Sequence, residues 1–195
     1  SANTIEAKEF PGGHLAITGA NTPGKLARRP RRVVLFDEVD KYPASAGVEG
    51  DPVELGVKRT STYWNSKIGM VSTPTIADLS RIEEAYQQSD RRRYHVPCPH
   101  CGHEQKLEWP RLLDGTGEDE DGDLVPDEAA YPCAKCGTLL EEGDKPEMLR
   151  AGRWIAEDES AKTAGFQLSA LYSPWVRWSE LVEGFLEAKD HPERL

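Results

Sequence analysis

Two pairs of cysteines place the strongest constraint on how this 195-residue chain can fold. Cys98 and Cys101 form one Cys-x-x-Cys turn, Cys133 and Cys136 form a second, and a glycine follows each pair. Two thiolates on a tight turn can bind one ion, and four thiolates complete a closed tetrahedral Zn²⁺ site that leaves no position for a reacting water. The pattern therefore predicts a structural zinc ribbon, in a compartment where thiols stay reduced.

The neighbourhood of the cysteines leaves some alternatives open. Unpaired surface thiols or a disulfide pair would also use these residues. His100 and His103 could replace a thiolate, but with four cysteines present we expect both imidazoles to face solvent. The segment from Glu104 to Trp109 predicts a hairpin strand of the ribbon. The acidic, glycine-bearing tract from Asp114 to Asp127 is typical of an exposed, mobile loop.

A second feature is an apolar run that ends in two acids. Val33 to Phe36 predicts a strand buried on both faces, as in a parallel sheet. Asp37 and Glu38 follow at its carboxyl end, where open α/β sheets place their ligands. The pair suits nucleotide hydrolysis, in which Asp37 would hold the Mg²⁺ that bridges the phosphates and Glu38 would deprotonate the attacking water. By itself, the pattern also fits a strand that simply stops in two solvated acids.

Strand and helix signals alternate through the first 90 residues. Leu15–Thr18 predicts a short buried strand and Ile68–Val71 predicts another apolar strand, while Asp51–Glu54 and Ser80–Glu83 are helix starts with a capping side chain. This alternation argues for a parallel, right-handed α/β sheet. The strand at Ile68–Val71 ends in Ser72-Thr73-Pro74, whose hydroxyls could sense the γ-phosphate of a nucleotide. An ordinary strand-to-loop turn is the alternative.

Charge and composition limit the classes of function. No stretch approaches the roughly 20 apolar residues that a membrane helix needs. The net charge of −10 is a poor match to a simple nucleic-acid coat protein. Local basic runs at Arg28–Arg32 and Arg91–Arg93 keep DNA contact open, and the first run reads either as a solvated link or as a basic rim near the phosphates. The aromatic-rich segment Leu171–Trp178 favours packing of a linker onto the core over base stacking.

The motifs together resemble one family. Their order is VVLFDEVD, DPVELGVKRT, STPT, SRIEEAY, CPHCG and CAKCG, with GANTPGKLARRPRRVVLFDEVD at the front and LYSPWVRWSELVEGFLEAK at the back. In these motifs and their order, essentially the whole chain resembles the large subunit of lambda-type phage terminases. In that family, ATP hydrolysis by a RecA-like domain drives double-stranded DNA into a procapsid, and a C-terminal nuclease cuts the concatemer.

The resemblance implies a role for each motif. Asp37 would take the Mg²⁺ role, Glu38 would be the catalytic carboxylate, and Ser72, Thr73 and Pro74 would form the coupling motif. The four cysteines would lie in a zinc-ribbon insertion that follows the ATPase core. The implied fold class is therefore α/β, a partial RecA-like sheet plus a small zinc ribbon.

The resemblance also implies a middle segment of a longer protein. The phosphate-binding pattern G-x-x-x-x-G-K-S/T does not occur in these residues, so we expect the Walker A loop before residue 1 and the nuclease acids beyond Leu195. We expect residues 1–93 to be the later part of the ATPase domain and 94–155 to be the zinc ribbon with its acidic loop. Residues 156–195 would hold a returning strand and a linker helix. We expect the isolated segment to hydrolyse ATP negligibly.

The implied partners are double-stranded DNA, the small terminase subunit, the portal of the procapsid and further copies in a homo-oligomeric motor. The implied location is the host cytoplasm, with no membrane partner. The alternative is a zinc-ribbon module that binds DNA or protein on an inactive α/β platform. Another RecA-like ATPase, such as a helicase, would share the two acids but would not account for the cysteine turns.

Overall fold

The computed structural model describes residues 4–26 and 28–190 of the chain. The chain folds as two compact units, Ser1–Ala85 and Tyr86–Leu195. The boundary between these units, after Ala85, lies earlier in the chain than the boundary expected after residue 93. The division into three functional segments stays a prediction. No helix in the described ranges is long and apolar enough to cross a membrane.

A short antiparallel hairpin opens the first unit. The α-helices and strands described in the first unit are β1 (Ala7–Phe10), β2 (Gly13–Ala16), α1 (Pro23–Leu26), β3 (Val33–Asp37), α2 (Pro52–Lys58), β4 (Lys67–Val71) and α3 (Arg81–Gln87), which runs on into the start of the second unit. Strands β1 and β2 pair with each other, and every side chain of β2 is exposed. The prediction of a buried strand at Leu15–Thr18 is therefore wrong. Leu15 is 51% exposed and belongs to neither of the core clusters found among the described residues.

A parallel pair of strands forms the centre of the first unit. Strand β3 pairs with β4 in a register that sets Asp37 opposite Val71. Phe36 is buried with Val53 of α2, whereas Leu35 is 78% exposed. The prediction that β3 is buried on both faces is therefore wrong. Successive side chains of a strand point to opposite faces, and helix α2 covers only the face that carries Phe36.

The predicted helix caps are present. The Oδ1 of Asp51 accepts hydrogen bonds from the backbone N–H groups of Val53 at 2.7 Å and Glu54 at 3.1 Å. The Oγ of Ser80 accepts one from the backbone N–H of Glu83 at 3.1 Å. Each cap satisfies donors that a helix leaves unpaired in its first turn, so both starts were correctly placed by the sequence.

Strand β5 organises the second unit. The described elements there are β5 (Arg92–Pro97), β6 (Glu104–Lys106), α4 (Trp109–Asp114), β7 (Tyr131–Pro132), β8 (Leu139–Leu140), α5 (Lys145–Ala151), β9 (Arg153–Ile155), β10 (Phe166–Gln167) and α6 (Trp178–Asp190). Strand β5 pairs with β10 in parallel and with β6 and β9 in antiparallel orientation. The strand predicted to reach Trp109 ends at Lys106, because Trp109 begins helix α4 and Pro110 occupies its first turn.

The cysteine turns and the C-terminal helix share one hydrophobic core. Cys98 and Cys133 are buried in the same cluster as Tyr131, Trp178 and Val182. The core cluster also includes Val96, Leu107, Leu112, Leu140, Met148, Leu171 and Tyr172. The packing interpretation of the segment Leu171–Trp178 is thus confirmed at three of its aromatic and aliphatic residues, although Trp175 is 88% exposed.

Candidate functional site

The two acids lie at the carboxyl end of the parallel strand pair. Asp37 is the last residue of β3 and its side chain is exposed. Glu38 follows with φ 56° and ψ 47°, a left-handed conformation that non-glycine residues rarely adopt. Such a conformation costs on the order of 1–3 kcal/mol and is concentrated at functional sites. The backbone therefore turns sharply at the residue to which the sequence assigned the catalytic carboxylate.

The carboxylate of Glu38 has a single described ion-pair partner. Its Oε2 lies 3.0 Å from the Nζ of Lys41, and the side chain of Lys41 is 71% exposed. The Oε2 atom itself is buried and has no hydrogen-bond partner among the described groups. A buried carboxylate oxygen without a donor is one that a ligand or a water molecule can satisfy.

The predicted coupling motif lies beside this turn and contacts it through Asp40. The backbone N–H of Asp40 donates to Ser72 Oγ at 3.2 Å. The carboxylate of Asp40 accepts from the backbone N–H of Thr75 at 3.1 Å, from Thr75 Oγ1 at 3.2 Å and from the backbone N–H of Ile82 at 2.8 Å. Parallel strands in register bring the ends of β3 and β4 to one sheet edge, so residues 37–40 and 72–75 are neighbours.

Asp40 is a residue that sequence reasoning did not select. Burial raises the pKa of the Asp40 carboxyl, but hydrogen bonds from Ser80, Ile82 and Thr75 outweigh burial and leave the pKa below its ordinary value. Asp40 is thus a carboxylate held ionised by donors. Asp40 is the third acid of the motif VVLFDEVD, but only the first two acids, Asp37 and Glu38, suggested a function.

The arginine run of the second unit has acidic and aromatic partners. Arg92 Nε lies 2.8 Å from Asp90 Oδ2, and Arg91 and Arg93 each lie 3.5 Å from an oxygen of Glu157. The guanidinium groups of Arg92 and Arg93 also stack over the rings of Phe166 and Tyr86. These contacts favour a structural role for the run at the start of β5.

The four cysteines converge on one point. Their Sγ atoms all lie within 4.8 Å of one another, with 3.9 Å between Cys98 and Cys136 and 3.7 Å between Cys101 and Cys133. A tetrahedral ion with Zn–S bonds of about 2.3 Å requires sulfur atoms about 3.8 Å apart. The thiol arrangement therefore fits a four-sulfur metal site. Of the two histidines that the sequence left as possible substitute ligands, His100 is exposed as expected, whereas His103 is half-buried.

The backbone of each cysteine turn follows one pattern. The N–H of Cys98 donates to His103 O at 2.9 Å, and the N–H of Gly102 donates to Cys98 O at 2.8 Å. The second turn repeats both bonds, from Cys133 to Thr138 O and from Gly137 to Cys133 O. Gly102 and Gly137 have φ values of 68° and 72°, which explains the glycine after each pair.

The thiols differ in burial and in acidity. Cys98 and Cys133 are buried, whereas Cys101 and Cys136 are exposed. Burial raises the pKa of the Cys98 thiol to about 12. Hydrogen bonding with Thr138 lowers the pKa of the Cys136 thiol to about 6. A metal cation would bind the deprotonated form of all four thiols, and its positive charge would favour loss of the proton that burial retains on Cys98.

A buried glutamine links the two turns. Gln105 of β6 is 5% exposed, and its Oε1 accepts a hydrogen bond from the backbone N–H of Ala134 at 2.7 Å. Ala134 lies between the second pair of cysteines. The glutamine therefore fixes the second turn relative to the strand that follows the first, a role that cysteine spacing alone did not indicate.

Comparison with known proteins identifies relatives of the chain. A sequence model of the phage terminase large subunit gpA ATPase domain matches residues 1–154. The chain is 27% identical to the terminase large subunit of Enterobacteria phage P21, over 99% of this chain and 33% of that protein. It is 28% identical to the terminase large subunit of Escherichia phage lambda, over 96% of this chain and 32% of that protein. The chain thus spans about a third of the length of these relatives. No solved structure matches it.

Proposed function

The chain belongs to the family of the phage terminase large subunit gpA ATPase domain, and from that membership we propose that it is part of an ATP-driven motor that packages double-stranded DNA. The observation that carries the proposal is the edge of the parallel strand pair, where Asp37, the left-handed Glu38 and Ser72 lie together. The proposed partners are DNA, the small terminase subunit and the portal of the procapsid, in the host cytoplasm.

In this proposal Asp37 and Glu38 have different roles. Asp37 is an exposed carboxylate at a strand end, a hard oxygen donor of the kind that Mg²⁺ prefers. The magnesium nucleotide, when bound, supplies the phosphoryl group and the charge neutralisation that hydrolysis requires. Glu38 accepts the proton of the attacking water, and its left-handed backbone holds the carboxylate beyond the strand end.

Ser72, Thr73 and Pro74 form the proposed coupling segment. Ser72 Oγ accepts from the Asp40 backbone at 3.2 Å and donates to Thr73 O at 3.2 Å. A hydroxyl with both of these partners is held at the edge of the sheet that carries Asp37 and Glu38. This position suits a segment that responds to the state of the nucleotide.

The cysteine cluster is proposed to bind one structural Zn²⁺ ion. The sulfur separations of 3.7 and 3.9 Å support a tetrahedral site of four thiolates. Because Cys98 and Cys133 are also core residues, the ion would hold together the ribbon and the elements packed on it. The alternative is a zinc-ribbon module that binds DNA or protein on an inactive α/β platform. Its DNA-binding form, with contacts through Arg91–Arg93, is disfavoured by the acidic partners of those guanidinium groups.

Replacement of Glu38 by glutamine in the full-length protein tests the proposal. We expect Glu38→Gln to lower the kcat of ATP hydrolysis by about 10²- to 10⁴-fold, the usual contribution of a positioned base, and to leave nucleotide affinity unchanged. Glu54→Gln is the matched control, since Glu54 is an exposed glutamate of α2 in the same unit. Turnover that survives in Glu38→Gln would overturn the assignment.

A further inference from the structure

Asp40 connects three separate parts of the first unit. It lies in the 3₁₀ turn Val39–Lys41, directly after the proposed catalytic carboxylate. Through its carboxylate it contacts Thr75, 35 residues away in sequence, and the start of α3 at Ile82, 42 residues away. Through its backbone N–H it contacts Ser72. One residue thus joins the end of β3, the segment after β4 and the first turn of α3.

We propose that Asp40 is a positioning residue that fixes the turn carrying Glu38 to the Ser72–Thr75 segment and to helix α3. The inference rests on the proposed ATPase function. Only Val39, which is fully buried, separates Asp40 from Glu38. A displacement of Ser72–Thr75 would therefore move Asp40 and, through Val39, the strained backbone of Glu38.

The geometry explains why a carboxylate is required at this position. Oδ1 accepts from Ile82, and Oδ2 accepts from both the N–H and the hydroxyl of Thr75. Both oxygens are acceptors, so an amide at position 40 would turn an N–H₂ group toward one of these donors. The side chain introduced by Asp40→Asn could satisfy one side of the contact but not both.

A second capping carboxylate in the same unit provides a comparison. Asp51 accepts the N–H groups of Val53 and Glu54 at the start of its own helix, and it pairs with Arg81. Asp51 therefore caps a helix as Asp40 does, but none of its described partners lies in the Ser72–Thr75 segment. A purely structural effect should appear equally when either residue is changed.

The experiment compares Asp40→Asn, Asp51→Asn and Glu38→Gln in the full-length protein. We expect Asp40→Asn to lower the kcat of ATP hydrolysis by about 10- to 100-fold with little change in KM, as misplacement of a catalytic group does. We expect Asp51→Asn to lower Tm by at least as much as Asp40→Asn but to leave kcat near the wild-type value.

The outcomes distinguish failure of the proposed ATPase function from failure of the proposed role of Asp40. If Glu38→Gln keeps turnover, the proposed function itself fails. If Glu38→Gln loses turnover while Asp40→Asn keeps the wild-type kcat, or loses no more kcat than Asp51→Asn, only the role of Asp40 is overturned.

A double-mutant cycle tests the contact directly. Thr75→Val removes the hydroxyl donor to Asp40 and keeps the shape of the side chain. If the two residues act as one unit, the loss of kcat in Asp40→Asn/Thr75→Val will be smaller than the product of the two single losses. Losses that multiply independently would contradict coupling through this contact.

Discussion

Gln105 Oε1 accepts a hydrogen bond from the backbone N–H of Ala134 at 2.7 Å, and this bond ties the second cysteine turn to strand β6. The two cysteine turns are separated by a long acidic tract, so the convergence of four thiols depends on contacts other than the thiols themselves. Gln105 lies on β6, the strand that follows the first cysteine turn, and its side chain contacts the backbone of the second cysteine turn.

Gln105→Leu is therefore expected to weaken binding of the proposed zinc ion. Groups that orient ligands from the next layer typically contribute 10- to 100-fold to metal affinity, so we expect a loss of about that size. Competition with a chromophoric chelator measures the affinity. Gln167→Leu on β10 is the control, because Gln167 contacts Arg93 and not a cysteine turn. Unchanged affinity in Gln105→Leu would contradict the bridging role.

Removal of the proposed zinc ion should loosen helix α6 as well as the ribbon. Trp178 and Val182 share a core with Cys98 and Cys133, and the free energy of metal binding contributes directly to folding. We expect a chelator to increase amide hydrogen exchange at Trp178–Val182. Exchange at Val33–Asp37 should not change, because those residues belong to the other compact unit. Protection of Trp178–Val182 that survives chelation would show that α6 does not depend on the metal.

Lys145 is a buried cation whose replacement should destabilise the second unit. Its side chain is 2% exposed, and its Nζ donates to Val176 O at 2.7 Å and to Glu142 Oε1 at 3.1 Å. Lys145→Met keeps the volume but leaves these acceptors unpaired, which should lower the free energy of unfolding by about 1–3 kcal/mol. Urea denaturation measures the change. Lys135→Met, at an exposed position, should have almost no effect.

The stability of the first unit should depend on the ionisation of Asp51. Burial raises the pKa of Asp51, but Arg81 and the N–H groups of Glu54 and Val53 outweigh burial and leave the pKa below its ordinary value. The unfolded chain then binds a proton at higher pH than the folded chain does. The contribution is fully present above the unfolded pKa and is lost as the pH falls through the folded pKa.

Thermal unfolding at several pH values checks this expectation. The difference in stability between the wild type and Asp51→Asn should be constant near neutral pH and should shrink below about pH 4, the ordinary range of an aspartate. A difference that grows on acidification would show that the folded pKa is raised instead.

Local patterns predicted local structure well. Asp51 and Ser80 were placed as helix caps because capping needs only a short acceptor side chain at a helix start. The glycine after each cysteine pair is a similarly local feature, since its left-handed conformation is needed within the turn itself. The apolar run before Asp37 was expected to be a strand, and Asp37 is its last residue, while the catalytic roles of Asp37 and Glu38 stay predictions.

Patterns that depend on distant partners were missed or misjudged. The apolar run of β3 suggested burial on both faces, yet Leu35 is exposed because, in the part of the chain that the structure describes, helix α2 covers the face that carries Phe36 and not the face that carries Leu35. Asp40 was overlooked because its partners at Thr75 and Ile82 are far away in sequence. The sequence of Arg91–Arg93 left DNA contact open, but in the structure these guanidinium groups pair with the carboxylates of Glu157 and Asp90.

The sequence by itself determined the chemistry that this protein carries: four thiols spaced for one ion, two carboxylates at a strand end and hydroxyls at the next. Each of these depends on residues within a few positions of one another. Only the tertiary structure decided which groups act together, because Asp40 reaches Thr75 and Gln105 reaches Ala134 after the intervening chain has folded. Contacts of that kind arise when whole helices and strands pack together, so the local sequence pattern does not predict them.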